Sequence, residues 1–131
     1  MATGFAIWDQ SYSTYGDLRS NQFYFVEFVA GSDKIVQRTS AVTALLIGIV
    51  QNNPNSGDTA VVRHLGVSKC MAATPISSAG LLIGCEATGA GGVRYPVVDS
   101  GEYAIATSIE TNVSGDLFGV IVSPIRITAG V

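Results

Sequence analysis

His64 is the chain's one histidine, so any Ser/His/Asp relay would have to run through it. No GxSxG elbow accompanies it, and an imidazole with no partner nearby in sequence has nothing to set its tautomer. His64 therefore reads as a surface or strand-end histidine. Cys70 and Cys85 lack CxxC or Cys/His spacing, so two buried, reduced thiols are expected, with a Cys70–Cys85 bridge left open if the flanking strands pair. Gly89 to Gly92 (GAGG) fits neither GxGxxG nor the Walker pattern and reads as a turn. Asp9, Asp17, Asp33, Asp58, Asp99 and Asp116 mostly sit in reversals beside Gly or Ser, where Asp accepts backbone hydrogen bonds, and they lack calcium-loop spacing. No catalytic residue, cofactor site or metal site is expected.

The chemistry that remains is contact chemistry. Residues 1–22 carry Phe5, Trp8, Tyr12 and Tyr15 at irregular spacing among small and polar residues. Large rings bring much contact energy for little entropy loss, so these four are the candidate partner-binding residues. The segment is expected as an extended N-terminal arm, with two dispositions open: anchored on a neighbouring subunit, where it could add a strand to an open sheet edge, or folded back over its own domain. Residues 23–131 are expected to form the domain itself.

That domain is written in β grammar. Gln22 to Ala30 is apolar on both alternating faces and is expected to be covered on both sides; Gly31-Ser32-Asp33 turns it into Lys34 to Arg38. Thr43 to Cys70 reads as an apolar strand from about Leu45, a turn over Asn52 to Asp58, a strand from Thr59 to His64, and a further strand that Gly66 starts. Near the end, Asn112 and Ser114-Gly115-Asp116 followed by Leu117 to Val122 echo Asn52 and Ser56-Gly57-Asp58 followed by Thr59 to Val62, so both reversals ask for the same turn chemistry. No stretch reads as a long helix. Roughly eight to ten short strands punctuated by Gly and Ser predict an all-β fold, a small β-barrel or sandwich.

At 131 residues the chain suits one domain with a core of its own. Charged residues make up 13% of the sequence, against about 25% in typical soluble domains. A surface of Ser, Thr, Asn, Gly and small apolar groups is cheap to desolvate and suits assembly. The net charge of −3 and scattered basic residues argue against a nucleic-acid partner. No run approaches the roughly 18 to 20 apolar residues that span a bilayer, and no leader-like start is present, so no membrane role and a cytosolic origin are expected.

From about Ala44 to Gly130 the sequence resembles the capsid decoration, or cement, proteins of tailed bacteriophages, a family long catalogued as a domain of unknown function. The resemblance rests on Ile47-Gly48-Ile49-Val50 before Gly57-Asp58, on Thr59 through Val67 running into Lys69, on Ile76-Ser77-Ser78-Ala79-Gly80, and on Ile105-Ala106-Thr107 with Gly115-Asp116 before Val120-Ile121-Val122. It departs from the family at the apolar run Leu81 to Cys85 and does not extend over residues 1 to about 40. It implies a β-rich subunit bound to the exterior of an assembled head, clamping neighbouring copies of the major capsid protein, often as a homotrimer. A different virion role, such as a head-fibre base or tail component, is the alternative. A carbohydrate-binding β-sandwich would need Tyr95 and Tyr103 aligned on one face.

Overall fold

A computed structural model of the chain describes residues 7–41, 43–93 and 103–128. Among the described residues nine strands form: β1 (Trp8–Thr14), β2 (Phe25–Phe28), β3 (Ile35–Arg38), β4 (Gly48–Val50), β5 (Thr59–Met71), β6 (Leu82–Cys85), β7 (Gly91–Val93), β8 (Tyr103–Ser108) and β9 (Leu117–Thr128). They run in the order β1-β3-β2-β4-β5-β9-β8-β6-β7, and β1 also pairs with β5. The expected all-β fold is thus the observed one, and of the two architectures left open, barrel or sandwich, it is the barrel.

One ring of strands occurs twice. In the first, β1 lies parallel to β3, β3 antiparallel to β2, β2 to β4, β4 to β5, and β5 returns antiparallel to β1. In the second, Ala72 just beyond β5 bridges Gly91 of β7 in parallel, and β7 to β6, β6 to β8, β8 to β9 and β9 to β5 are all antiparallel. The registers coincide as well. Ile49↔Arg63 and Val50↔Val62 in the first ring correspond to Thr107↔Ile121 and Ser108↔Val120 in the second. Asp9↔Arg63, Tyr12↔Ala60 and Ser13↔Thr59 correspond to Val67↔Ile121, Cys70↔Phe118 and Met71↔Leu117. The 13-residue β5 is last strand of one ring and first strand of the other. It does not break at Gly66, where a new strand was expected; Gly66, with φ +120°, marks the handover from β1 to β9 as its partner.

The echoed Ser-Gly-Asp turns are the clasps of the two rings. Gly57 N–H donates to Thr14 O at 2.8 Å and Thr14 N–H to Asp58 O at 3.1 Å; in the second ring Gly115 N–H donates to Ala72 O at 2.8 Å and Ala72 N–H to Asp116 O at 3.0 Å. Both glycines need a left-handed backbone, at φ +86° and +90°, which a side chain would oppose. The amides of Asn52 and Asn112 brace these turns by donating to Thr59 O and Asp116 O, each at 2.9 Å. The two hairpins resemble each other because each ring needs the same lock.

Leu18, Val26, Val36, Val50, Ala60 and Val62 pack together inside the first ring. The second cluster joins Cys70, Ile76, Ile83, Phe118 and Val120 to Phe25, Leu46 and Ile49 from the first ring's outer surface, so it also welds the rings together. Phe25 and Val26 are both fully buried, on opposite faces, as the two-sided apolar pattern of β2 required. The interiors are balanced by volume: Ala60, Val36 and Tyr12 correspond to Phe118, Gly91 and Cys70. A Cβ on Gly91 would lie 2.6 Å from Cys70 Sγ, so the large ring of Phe118 is accommodated by removing bulk around it.

Besides the unbroken β5, one open alternative is settled and two expectations are corrected. Residues 8–14 are β1, paired to β5 and β3, and Leu18 is buried, so of the two dispositions open to the arm these residues take their own barrel. Their alternation is hidden because the face carrying Trp8 and Tyr12 also carries Gln10 and Thr14. The apolar strand before the central turn starts at Gly48 rather than Leu45. Gly91 and Gly92 belong to β7 rather than to the reversal, which runs from Glu86 to Ala90 with Glu86 N–H donating to Ala90 O at 2.7 Å.

Candidate partner-binding surface

In a strand, residues two and four apart share a face. Trp8 and Tyr12 therefore point to the same side of β1, toward the mouth of the first ring, while Asp9, Ser11 and Ser13 point away. Asp9 stands across from Arg63 and accepts two hydrogen bonds from its guanidinium, at 2.8 and 2.9 Å. Those bonds hold the Asp9 carboxyl below its usual range despite opposing partial burial, and they raise the Arg63 guanidinium in turn. Arg63 also donates to Val67 O at 2.7 Å. This fork fixes the start of β1 and so the position of Trp8.

The mouth is closed by His64, which corrects the expectation of a surface or strand-end histidine: it is buried and lies in the middle of β5, where its two ring nitrogens find partners. Its Nδ1 lies 2.7 Å from Ile47 O, a contact that requires Nδ1–H as donor, and its Nε2 lies 2.6 Å from Tyr12 Oη and accepts that hydroxyl proton. The tautomer is fixed by the Ile47 carbonyl. Burial raises the Tyr12 phenol, which keeps it a donor. Trp8 lies over the imidazole with ring centroids 4.6 Å apart, and Phe28 meets Tyr12 edge-on at 5.3 Å. Trp8, His64, Tyr12 and Phe28 form one ladder of rings, three of them joined through a hydrogen-bonded histidine.

Beside the ladder is a hollow of about 260 Å³, floored by Leu46, Ile47 and Ile105. Phe28 and Ile47 also line a second hollow of about 530 Å³ that continues over Ala44 and Leu45. Ile7, Trp8, Phe28 and Leu45 are all strongly exposed. The result is a concave, largely apolar surface with a few fixed polar atoms, the composition of a candidate contact site.

Trp8 and Tyr12 are thus brought together. Tyr15 is exposed at the other end of β1, about 23 Å along the strand from Trp8 at the usual rise per residue, and Phe5 lies outside the described residues. His64 and Phe28 complete the groove without any local signal: His64 is an alternate residue of β5, and Phe28 reaches Tyr12 through the pairing of β2 with β3. Elsewhere, Cys70 and Cys85 are buried thiols not joined in a disulfide. Their thiols donate to Met71 O and Ala41 O, and burial pushes the Cys70 thiol far up, which suits inert packing. Tyr103 is half-buried on β8 and Tyr95 lies outside the described residues.

The sequence matches no family model, and no curated protein matches it. Among solved structures it is similar to the crystal structure of the head fibre gp8.5 N base of bacteriophage phi29, with a TM-score of 0.65, 14% sequence identity, and 92% of this chain and 98% of that chain covered. A likeness of that extent at that identity is one of fold, and it spans both rings.

Proposed function

We propose that this chain is a structural protein of a bacteriophage virion, seated on the exterior of the assembled head and bound to the major capsid protein through the aromatic groove. The observation that carries the reading is the sharing of a complete fold with a head-fibre base, and the capsid-decoration resemblance of residues 44–130 agrees with it. A protein that binds the assembled shell and not its free subunits stabilises the shell by mass action, and repetition over a symmetric shell multiplies a modest contact. The groove suits this role: Trp8, Tyr12 and Phe28 supply apolar contact, and the Asp9–Arg63 fork holds them in place before binding.

Within this role the chain clamps adjacent capsid subunits as a cement protein, assembling as a homo-oligomer, with a trimer matching three-fold positions of a shell. The fold likeness favours a second reading, the base of a fibre that extends from the head. Imaging purified heads with and without the protein separates the two. A cement protein gives compact density bridging capsid subunits and a head more resistant to heat; a fibre base gives density beneath a projecting fibre with unchanged head stability. Heads that take up no protein would overturn both readings.

A further inference from the structure

The duplicated ladder supplies an internal comparison for one exposed face. On the first ring, the outward residues of the β1/β5 ladder are Asp9, Ser11, Ser13, Thr59, Val61 and Arg63, polar but for one valine and crossed by an ion pair. At the corresponding positions of the β5/β9 ladder stand Val67, Lys69, Met71, Leu117, Gly119 and Ile121. Val67 and Ile121 face each other across the ladder and are 51% and 47% exposed, with Leu117 at 39%. Ile109, at 43% exposure, covers Gly119, whose Cβ would meet it at 2.8 Å; its counterpart in the first ring is Gln51. The same backbone surface has been made water-compatible once and apolar once.

Two charges flank the stripe. Lys69 lies on the β5 side, and Glu110 lies beyond β9, where its Oε1 accepts the Gly119 N–H at 2.7 Å. Among the described residues neither is in an ion pair. With a cation on one flank and an anion on the other, the face is complementary to itself: a copy rotated about an axis along β9 brings its Glu110 flank to the first copy's Lys69 flank and closes apolar on apolar. Val67, Ile109, Leu117 and Ile121 are each about two-fifths to one-half exposed, and because a stable interface takes ~800 Å² from each partner, the flanking polar residues must share in it. Closed rings offer few strand edges, so association by packing of faces is the route that remains.

We propose that the β5/β9 face is the surface through which the chain binds further copies of itself in a cyclic assembly, with Lys69 of each copy against Glu110 of the next. The idea rests on the virion reading only for its setting, because its test uses the free protein without heads. In sedimentation velocity the wild-type chain should form a discrete oligomer at micromolar concentration. Val67→Lys and Ile121→Lys should each weaken association at least tenfold while keeping the wild-type circular dichroism, and Ser11→Lys, at the first-ring counterpart of Lys69, should not. Lys69→Glu and Glu110→Lys should each weaken association, and the double reversal should restore it. A wild-type monomer at all concentrations, meaning that a different protein covers the face, would overturn the proposal. So would an oligomer indifferent to Val67→Lys and Ile121→Lys, or a double reversal as weak as the single ones. None of these outcomes bears on head binding, which is measured separately.

Discussion

The two rings share a topology and a register but differ in what they place inside, outside and at the turns. Inside, the first ring is filled by medium-sized aliphatics around Ala60, the second by Phe118 with space cleared at Gly91 and Cys70. Outside, the first ring's outer ladder is polar and its mouth carries the aromatic groove, whereas the second ring's ladder is aliphatic. At Phe23 and Lys34 the first ring holds non-glycine residues at φ +68° and +57°, where the register places Gly80 and Gly89, at φ +85° and +83°, in the second. The repeated topology holds the backbone alike in both rings, and the side chains set what each surface presents. Phe23 illustrates this: its ring packs against the second cluster with the Lys69 ammonium 5.9 Å from its centroid, and its carbonyl accepts the Met71 N–H at 3.2 Å. Its unfavourable φ is offset by a contact that ties one ring to the other.

The largest expected difference between the rings comes from their interiors. Phe118→Ala removes the second ring's central side chain and should cost roughly 3 to 5 kcal/mol, measured by urea denaturation. Filling the first ring by Ala60→Phe should cost about 1 to 3 kcal/mol through overpacking, since nothing there is cut back to receive it. If both substitutions had the same small effect, the interiors would not be complementary in the way the register suggests.

Exchanging the turn residues should give a smaller and signed effect. Gly89→Ala must hold a side chain at positive φ with its Cβ 2.7 Å from Arg38 Cγ and 2.9 Å from Thr39 O, for a loss of about 2 kcal/mol. Lys34→Gly at the corresponding position should fall within roughly 0.5 kcal/mol of wild type, because relief of the backbone is offset by a freer unfolded chain. Thermal unfolding distinguishes them.

Effects of about 1 kcal/mol or less belong to the groove. Tyr12→Phe leaves His64 Nε2 without its donor and should cost about 1 kcal/mol. Asp9 has a depressed folded pKa, so its contribution is complete above the usual carboxylate range and is lost as the pH falls through the folded value. Acidification below about pH 4 should therefore loosen the start of β1, read as a red shift of Trp8 emission that Asp9→Asn already shows near neutrality, at a stability cost of roughly 0.5 to 1 kcal/mol.

Much of the fold was legible because strands and turns are local. The β2–β3 and β4–β5 hairpins follow from alternation and Gly-Asp chemistry, and the repeated Asn with Ser-Gly-Asp pointed to the second clasp. The duplication itself was concealed: once the interior volumes had been redistributed, Ala60 and Phe118, or Gln51 and Ile109, no longer look like copies, and only the ladder registers align them. For the site, Trp8 and Tyr12 were legible as aromatics without an evident core role. Their grouping with His64 and Phe28 depends on pairings of β1 with β5 and β2 with β3, which no short motif encodes. Which of the arm's two open dispositions residues 8–14 take was hidden for the same reason, since a strand with exposed and mixed faces carries little periodic signal.

The proposed attachment to an assembled head is tested most directly by cosedimenting the purified protein with purified heads and counting copies bound. Saturation at a fixed number of copies per head is predicted for the wild type, with binding weakened at least tenfold by Trp8→Ala and by Phe28→Ala while their circular dichroism stays that of the wild type. Absence of wild-type binding, or wild-type saturation by both variants, would contradict the account.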